Sequence, residues 1–309
     1  SKSKNKPFIE FANIIASGLV SILSLPIIFR ITKIRFFKKS ILLKVLRFSL
    51  PFLPAGIFTM IMELSDRYII EWLLSTSEVG LYSAGKKMGM LGLTAVMGFN
   101  MGWTPFFLKR GKNKNAKKEF KIITTIFLGV MGYICFLVSL WISDLMKFTI
   151  FGATLIGVEF WDCESIVSLI LLGYFFFGTY VIQLPGVYIK EITGWIPFFR
   201  IIGASVLVLS SIIIIPIFGI YGAAIGVVLA FFSMSLSIYL KVQTVYSIPY
   251  NWRGIMFPIL ALLLVQIRFD IVMYKMVFSL LFPFIWFLFA TENEEREIFK
   301  NQFLQFFKK

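Results

Sequence analysis

The chain has 309 residues and is 58% hydrophobic, well above the roughly 45–50% apolar share of soluble domains. Its 31 Lys and Arg outnumber 16 Asp and Glu, for a formal charge of +15, and it has no His. Histidine catalysis and the HExxH metal motif are therefore excluded. In so apolar a chain the cationic excess marks loops on one side of a membrane rather than nucleic-acid binding. The two cysteines, Cys135 and Cys163, have neither metal-ligand spacing nor a disulfide framework.

About 20 apolar residues carry a helix across a bilayer. Nine stretches qualify as spans: 8–29, 48–74, 79–108, 122–142, 166–189, 198–218, 220–240, 254–267 and 271–290. The eighth is short. The expected fold class is an all-α polytopic membrane protein.

Between the first two spans, residues 30–47 carry Arg30, Lys33, Arg35, Lys38, Lys39, Lys44 and Arg47. Ile34, Phe37, Ile41 and Val45 recur among them at helical spacing, as in an interfacial helix. Residues 109–121 carry another seven cations, two spans further on. The two basic loops lie on one side, which the positive-inside rule makes cytoplasmic. The C-terminus is then inside and the N-terminus outside. An outside start without Met or a signal sequence leads us to expect further helices upstream.

The second span contains MELSDRYIIE, with Glu63, Asp66 and Arg67 on one side of a helix. Ionisable residues inside a span are functional candidates, and a structural Glu63–Arg67 pair is the alternative. The third span opens with GLYSAGKKMG, one residue short of a phosphate-binding P-loop. Lys87 stands where the Mg²⁺-holding hydroxyl belongs, and no strand precedes it, so a nucleotide site is excluded. Gly85, Gly89 and Gly92, with Gly98 and Gly102, give small-residue spacing for close helix contact. Lys86 lies roughly 35 Å along the helix from Lys109, at the outer interface. It either snorkels to headgroups or lines a path for an anion.

The acidic cluster Glu159, Asp162 and Glu164 reads as a solvated loop before a helix start at Ser165, acids being favoured at helix N-termini. Gln183 and Asn100 are expected to make interhelical hydrogen bonds. In the tail TENEEREIFKNQFLQFFKK, Thr291 and Glu294 form a capping box. Phe299, Phe303 and Phe307 form a stripe suited to a membrane surface.

Three stretches, FSLPFLPAGIFTMIMELSDRYII, VGLYSAGKKMG and GWTPFF, carry in order Leu50-Pro51, Asp66-Arg67, Tyr82-Ser83-Ala84 and Trp103-x-Pro105. Here the sequence resembles the polysaccharide biosynthesis, Wzx-like flippases of the multidrug/oligosaccharidyl-lipid/polysaccharide exporter superfamily. IPFFRIIGASVLVLSSIIIIPIFGIYGAAIG, with Ile215-Pro216, Gly219 and Gly222, is similar to the family's eleventh and twelfth helices.

The resemblance implies a two-lobe exporter. Residues 1–29 would hold the last helix of the N-lobe and 30–47 a basic cytoplasmic connector. Residues 48–240 would be a six-helix C-lobe, 241–290 two additional helices and 291–309 an amphipathic cytoplasmic tail. It implies a multi-pass protein of a bacterial or archaeal inner membrane, not an enzyme, without catalytic residues, metal or cofactor. Its substrate would be an undecaprenyl-pyrophosphate-linked oligosaccharide moved to the outer leaflet. Membrane lipids and an H⁺ or Na⁺ gradient would be its other partners, with no role for nucleic acid. Arg67, Lys86, Lys87 and Tyr82 are the candidate substrate contacts, and Glu63 and Asp66 the candidates for ion coupling. A multidrug or cation antiporter of the same superfamily, or a membrane-embedded glycosyltransferase or polymerase, are the alternatives.

Overall fold

The computed structural model describes residues 6–31, 38–150, 153–154, 156–267, 271–293 and 295–297. The chain forms two compact units, Ser1–Leu50 and Pro51–Lys309.

The first unit contains α1 (Lys6–Ile31), with Pro26 inside it, and α2 (Lys39–Ser49). No residue of α2 is buried. Ile41 and Val45 are exposed beside Lys44 and Arg47, in keeping with an amphipathic surface helix. The rest of the expected interfacial stripe, Ile34 and Phe37, lies outside the described residues.

The second unit is a helical bundle: α3 (Phe52–Leu73), α4 (Thr76–Arg110), α5 (Ala116–Lys147), α6 (Glu164–Val181), α7 (Leu184–Ile189), α8 (Ile196–Phe218), α9 (Ile220–Val245), α10 (Trp252–Leu264) and α11 (Val272–Ile285). A two-residue antiparallel pair, β1 (Thr149–Ile150) with β2 (Ala153–Thr154), follows α5, and α11 continues as a π-helical turn over Trp286–Ala290. α3 packs on α4 and α8, α8 on α9, α9 on α6, and α6 on α4, so these five helices close a ring. α5 packs outside the ring on α4 and α6, and α10 and α11 cover α5.

Helices cover each of the nine expected spans, the one over 166–189 as two, α6 and α7. Among the described residues six stretches are long and apolar enough to cross a membrane: Lys39–Leu73, Ala116–Lys147, Val158–Ile189, Thr193–Phe218, Ile220–Val245 and Val272–Ala290. The protein is a multi-pass, all-α membrane protein. α4 has the length, with 35 residues, but Glu78, Lys86, Lys87 and its many glycines lower its hydropathy. α10 has 13 residues, about 20 Å of helix, short of the ≈30 Å hydrocarbon core.

The α4–α6 contact explains the glycine spacing. A Cβ on Gly89 would sit 2.5 Å from Ile170 Cγ2, and one on Gly85 would sit 2.7 Å from Ile166 Cγ1. Gly92 faces Leu171 and Tyr174. Gly98 and Gly102 meet nothing within 4 Å, which corrects the expectation that they too mark a contact. Gly219 has φ +58°, a conformation that favours glycine. It reverses α8 into α9 with no further linker residue.

The span over 166–189 is interrupted. Pro185 at the start of α7 cannot donate a backbone hydrogen bond, and α6 ends before it. Gln183 supports the break: its Nε2 donates to Thr179 O at 2.7 Å and to Ser235 O and Oγ, each at 3.3 Å. The expected interhelical bond is therefore made, to α9. Asn100 makes a different one. Its Oδ1 accepts from Thr104 Oγ1 at 3.1 Å within α4.

The last helical turn starts one residue later than the sequence suggested. Glu295 Oε2 accepts from Glu292 N at 2.8 Å, a cap that joins 292 to 295. Glu294 and the stripe Phe299, Phe303 and Phe307 lie outside the described residues.

Candidate functional site

Ser75 caps α4, its Oγ accepting from Glu78 N at 3.3 Å, and the short turn at 74–75 folds α4 back along α3. Tyr82 and Lys86 are four apart and so share one face of α4. That face meets Asp66 of α3.

Asp66 is fully buried. Its Oδ2 accepts from Tyr82 OH at 2.8 Å and pairs with Lys86 Nζ, and its Oδ1 accepts from Arg67 N at 2.8 Å. Lys86 is itself only 6% exposed and also donates to Glu63 O at 2.9 Å. A buried charge pair persists only when hydrogen bonds satisfy what the partners leave over. Here three donors serve the carboxylate, and the ammonium has two acceptors. Asp66 lies seven residues from the end of α3, about 10 Å, and Lys86 ten residues from the start of α4, about 15 Å. Both side chains are therefore held inside the bundle, and Lys86 pairs with Asp66 rather than snorkelling outward to headgroups.

The six residues singled out from the sequence do not form one patch. Tyr82, Lys86 and Asp66 form a buried triad. Glu63 contributes its backbone carbonyl to that triad and its side chain to the cavity beside it. Arg67 is half-buried, contributes its backbone N–H, and has an Nε without a partner. Lys87 is exposed on another side of α4. No ion pair joins Glu63 to Arg67 among the described residues.

The ring encloses a cavity of about 150 Å³ lined from all five helices, including Thr59, Glu63, Lys86, Tyr174 and Met234. Its other cation is Arg200 of α8. Arg200 Nη1 donates to Thr59 Oγ1 of α3, and its Nε is buried without a partner. No carboxylate pairs with Arg200 among the described residues. Thr59 and Asp66 are seven residues apart on α3, about 10 Å, so two cations are moored along one wall of the cavity. One is neutralised and one is not.

The sequence motifs do not point to Arg200, which stands beside a loop in the first turns of α8. The available signal was its isolation: no other charged residue occurs between Glu191 and Lys241.

The acidic cluster does not build a second site. Glu159 and Asp162 are exposed in a 3₁₀ turn over Val158–Cys163. α6 starts at Glu164, one residue earlier than expected. Among the described residues no group of three Cys, Asp or Glu could hold a metal ion.

No curated protein and no solved structure matches the chain. Residues 7–110 match the family model described as polysaccharide biosynthesis protein, a stretch that runs from α1 through α4, includes Asp66, Tyr82 and Lys86, and supports the reading of this membrane protein as one of polysaccharide biosynthesis or export.

Proposed function

We propose that the protein takes part in moving a lipid-linked oligosaccharide, with an undecaprenyl-pyrophosphate anchor, from the cytoplasmic to the outer leaflet. The observation that carries this reading is the cavity at the ring axis, with Lys86 and Arg200 moored along α3. The family match over 7–110 agrees with it.

A translocated lipid-linked sugar leaves its tail in the bilayer, but its anionic diphosphate must cross. Cations inside the protein replace the water that the diphosphate loses. Arg200 is available to an anion now. Lys86 is available only if the anion displaces Asp66, which would then be left to Tyr82 OH and the Arg67 N–H. Substrate binding would thus release a buried carboxylate. A released carboxylate can take up a proton or sodium ion, which gives Asp66 a coupling role without any added residue. Glu63, on the same wall, is the second candidate for it.

At about 150 Å³ the cavity is smaller than the roughly 300–1,000 Å³ of ligand pockets. The ring has to open to admit a headgroup. The α3–α4 and α3–α8 seams are where the moorings at Asp66 and Thr59 would part.

The test is export in the native host. Lys86→Gln and Arg200→Gln, each inserted at normal levels, should leave the lipid-linked oligosaccharide on the inner leaflet. Normal export by both variants would overturn the reading.

A further inference from the structure

A second cavity, of about 640 Å³, lies away from the ring axis. It is bounded by the last turns of α5, the first turns of α6 and α9, the end of α10 and the first turn of α11. This is the end of the bundle opposite the basic 109–121 turn, and the loop charges make it the outer end.

Its chemistry differs from that of the axial cavity. Asp144 and Lys275 join α5 to α11 at 2.5 Å, and Ser168 Oγ donates to Gln266 Oε1 at 2.8 Å between α6 and the end of α10. Lys147 and Glu164 add one charge of each sign, so the charges on its described walls balance. Ser139 Oγ, in the same wall, is buried and has no partner. Tyr221, partly exposed, supplies an aromatic face.

We propose that this cavity binds a neutral, hydroxyl-rich saccharide. A lone anion would meet Asp144 and Glu164, and a lone cation Lys147 and Lys275. An acyl chain would strip water from charged and hydroxyl groups without replacing their hydrogen bonds. A saccharide both donates and accepts, and its C–H face stacks on an aromatic ring. The volume falls within the roughly 300–1,000 Å³ of ligand pockets. The inference rests on the proposed export function only for the origin of the glycan, which would be received here as it emerges. Binding itself needs no transport.

Saturation-transfer NMR on the purified full chain, in a detergent without a sugar headgroup, tests this. The probes are maltotriose and chitotriose, with trigalacturonate as the anionic control. At least one neutral trisaccharide should receive saturation. Its signal should fall at least fivefold in Ser143→Trp, which fills the cavity from its half-exposed rim, and in Gln266→Leu. It should persist in Lys112→Gln, in the basic turn at the opposite end. The proposal is overturned if neither neutral probe receives saturation, if only trigalacturonate does, or if the signal survives both cavity variants. Absent trisaccharide binding, with export still blocked by Arg200→Gln, would overturn this inference alone. Normal export by Lys86→Gln and Arg200→Gln, with binding retained, would overturn the export reading alone.

Discussion

Lys86 and Asp66 neutralise one another between α3 and α4, and neither is open to solvent. Twenty residues separate them in the chain, so the pair forms only when the hairpin closes. It is both a structural link and a charge held in reserve.

Removing one partner should therefore cost more than removing both. Lys86→Met leaves a buried carboxylate and should lower stability by about 3 kcal/mol, the low end of the range for broken buried pairs. The low end applies because Tyr82 OH and Arg67 N still serve Asp66. The double variant Asp66→Asn with Lys86→Met should recover most of that loss. Thermal unfolding in detergent, followed by size-exclusion chromatography, reads the difference. Equal loss in the single and double variants would mean that packing, not charge, sets the cost.

Arg200 should behave differently, having no carboxylate to strand. Arg200→Gln keeps a donor within reach of Thr59 and should leave the melting temperature within a few degrees of the parent. Export should nonetheless be lost, and Arg200→Lys should restore part of it, because a single point charge replaces a fork of donors. An Arg200→Gln protein that exports normally would remove this residue from the substrate path.

The spans were legible because a bilayer demands about 20 apolar residues in a row, and each stretch that met that demand is helical, although 166–189 breaks into α6 and α7 at Pro185. The α4–α6 contact was legible in part: Gly85, Gly89 and Gly92 face α6, while Gly98 and Gly102, at similar spacing, face nothing. Spacing alone does not say which side of a helix has a neighbour. The site was less legible. Glu63, Asp66 and Arg67 share a helix side, yet the partner of Asp66 comes from the next helix, and the choice of Lys86 over Lys87 depends on one residue of rotation. Arg200 joins them only through tertiary packing, through Thr59.

The glycine contacts give a test of packing with an internal control. A Cβ at position 89 would sit 2.5 Å from Ile170 Cγ2 and 3.0 Å from Ile170 Cβ. A β-branched side chain cannot swing those atoms away, so Gly89→Ala must push α4 off α6 and should cost about 1–3 kcal/mol. Gly102→Ala meets open space and should change stability by no more than about 0.5 kcal/mol. Thermal unfolding of the two variants side by side is sufficient. A Gly89→Ala protein as stable as Gly102→Ala would contradict the close α4–α6 approach.

Charge predicts the direction in which the bundle crosses the membrane, and labelling can check it. Asn115 lies in the turn between α4 and α5, among Lys112, Lys114, Lys117 and Lys118, whereas Asp162 lies in the turn before α6, at the other end of α5. Both are exposed, and the only native thiols, Cys135 and Cys163, are buried and can be replaced by Ala. On that background a membrane-impermeant maleimide should modify Asp162→Cys in intact cells. It should reach Asn115→Cys only after permeabilisation. The reason is energetic: the seven cations of residues 109–121 should resist translocation and keep their loop inside. Labelling of position 115 from outside intact cells would invert the topology. The axial cavity would keep its two cations, but the Asp144–Lys275 cavity would then face the cytoplasm and could not receive an emerging glycan.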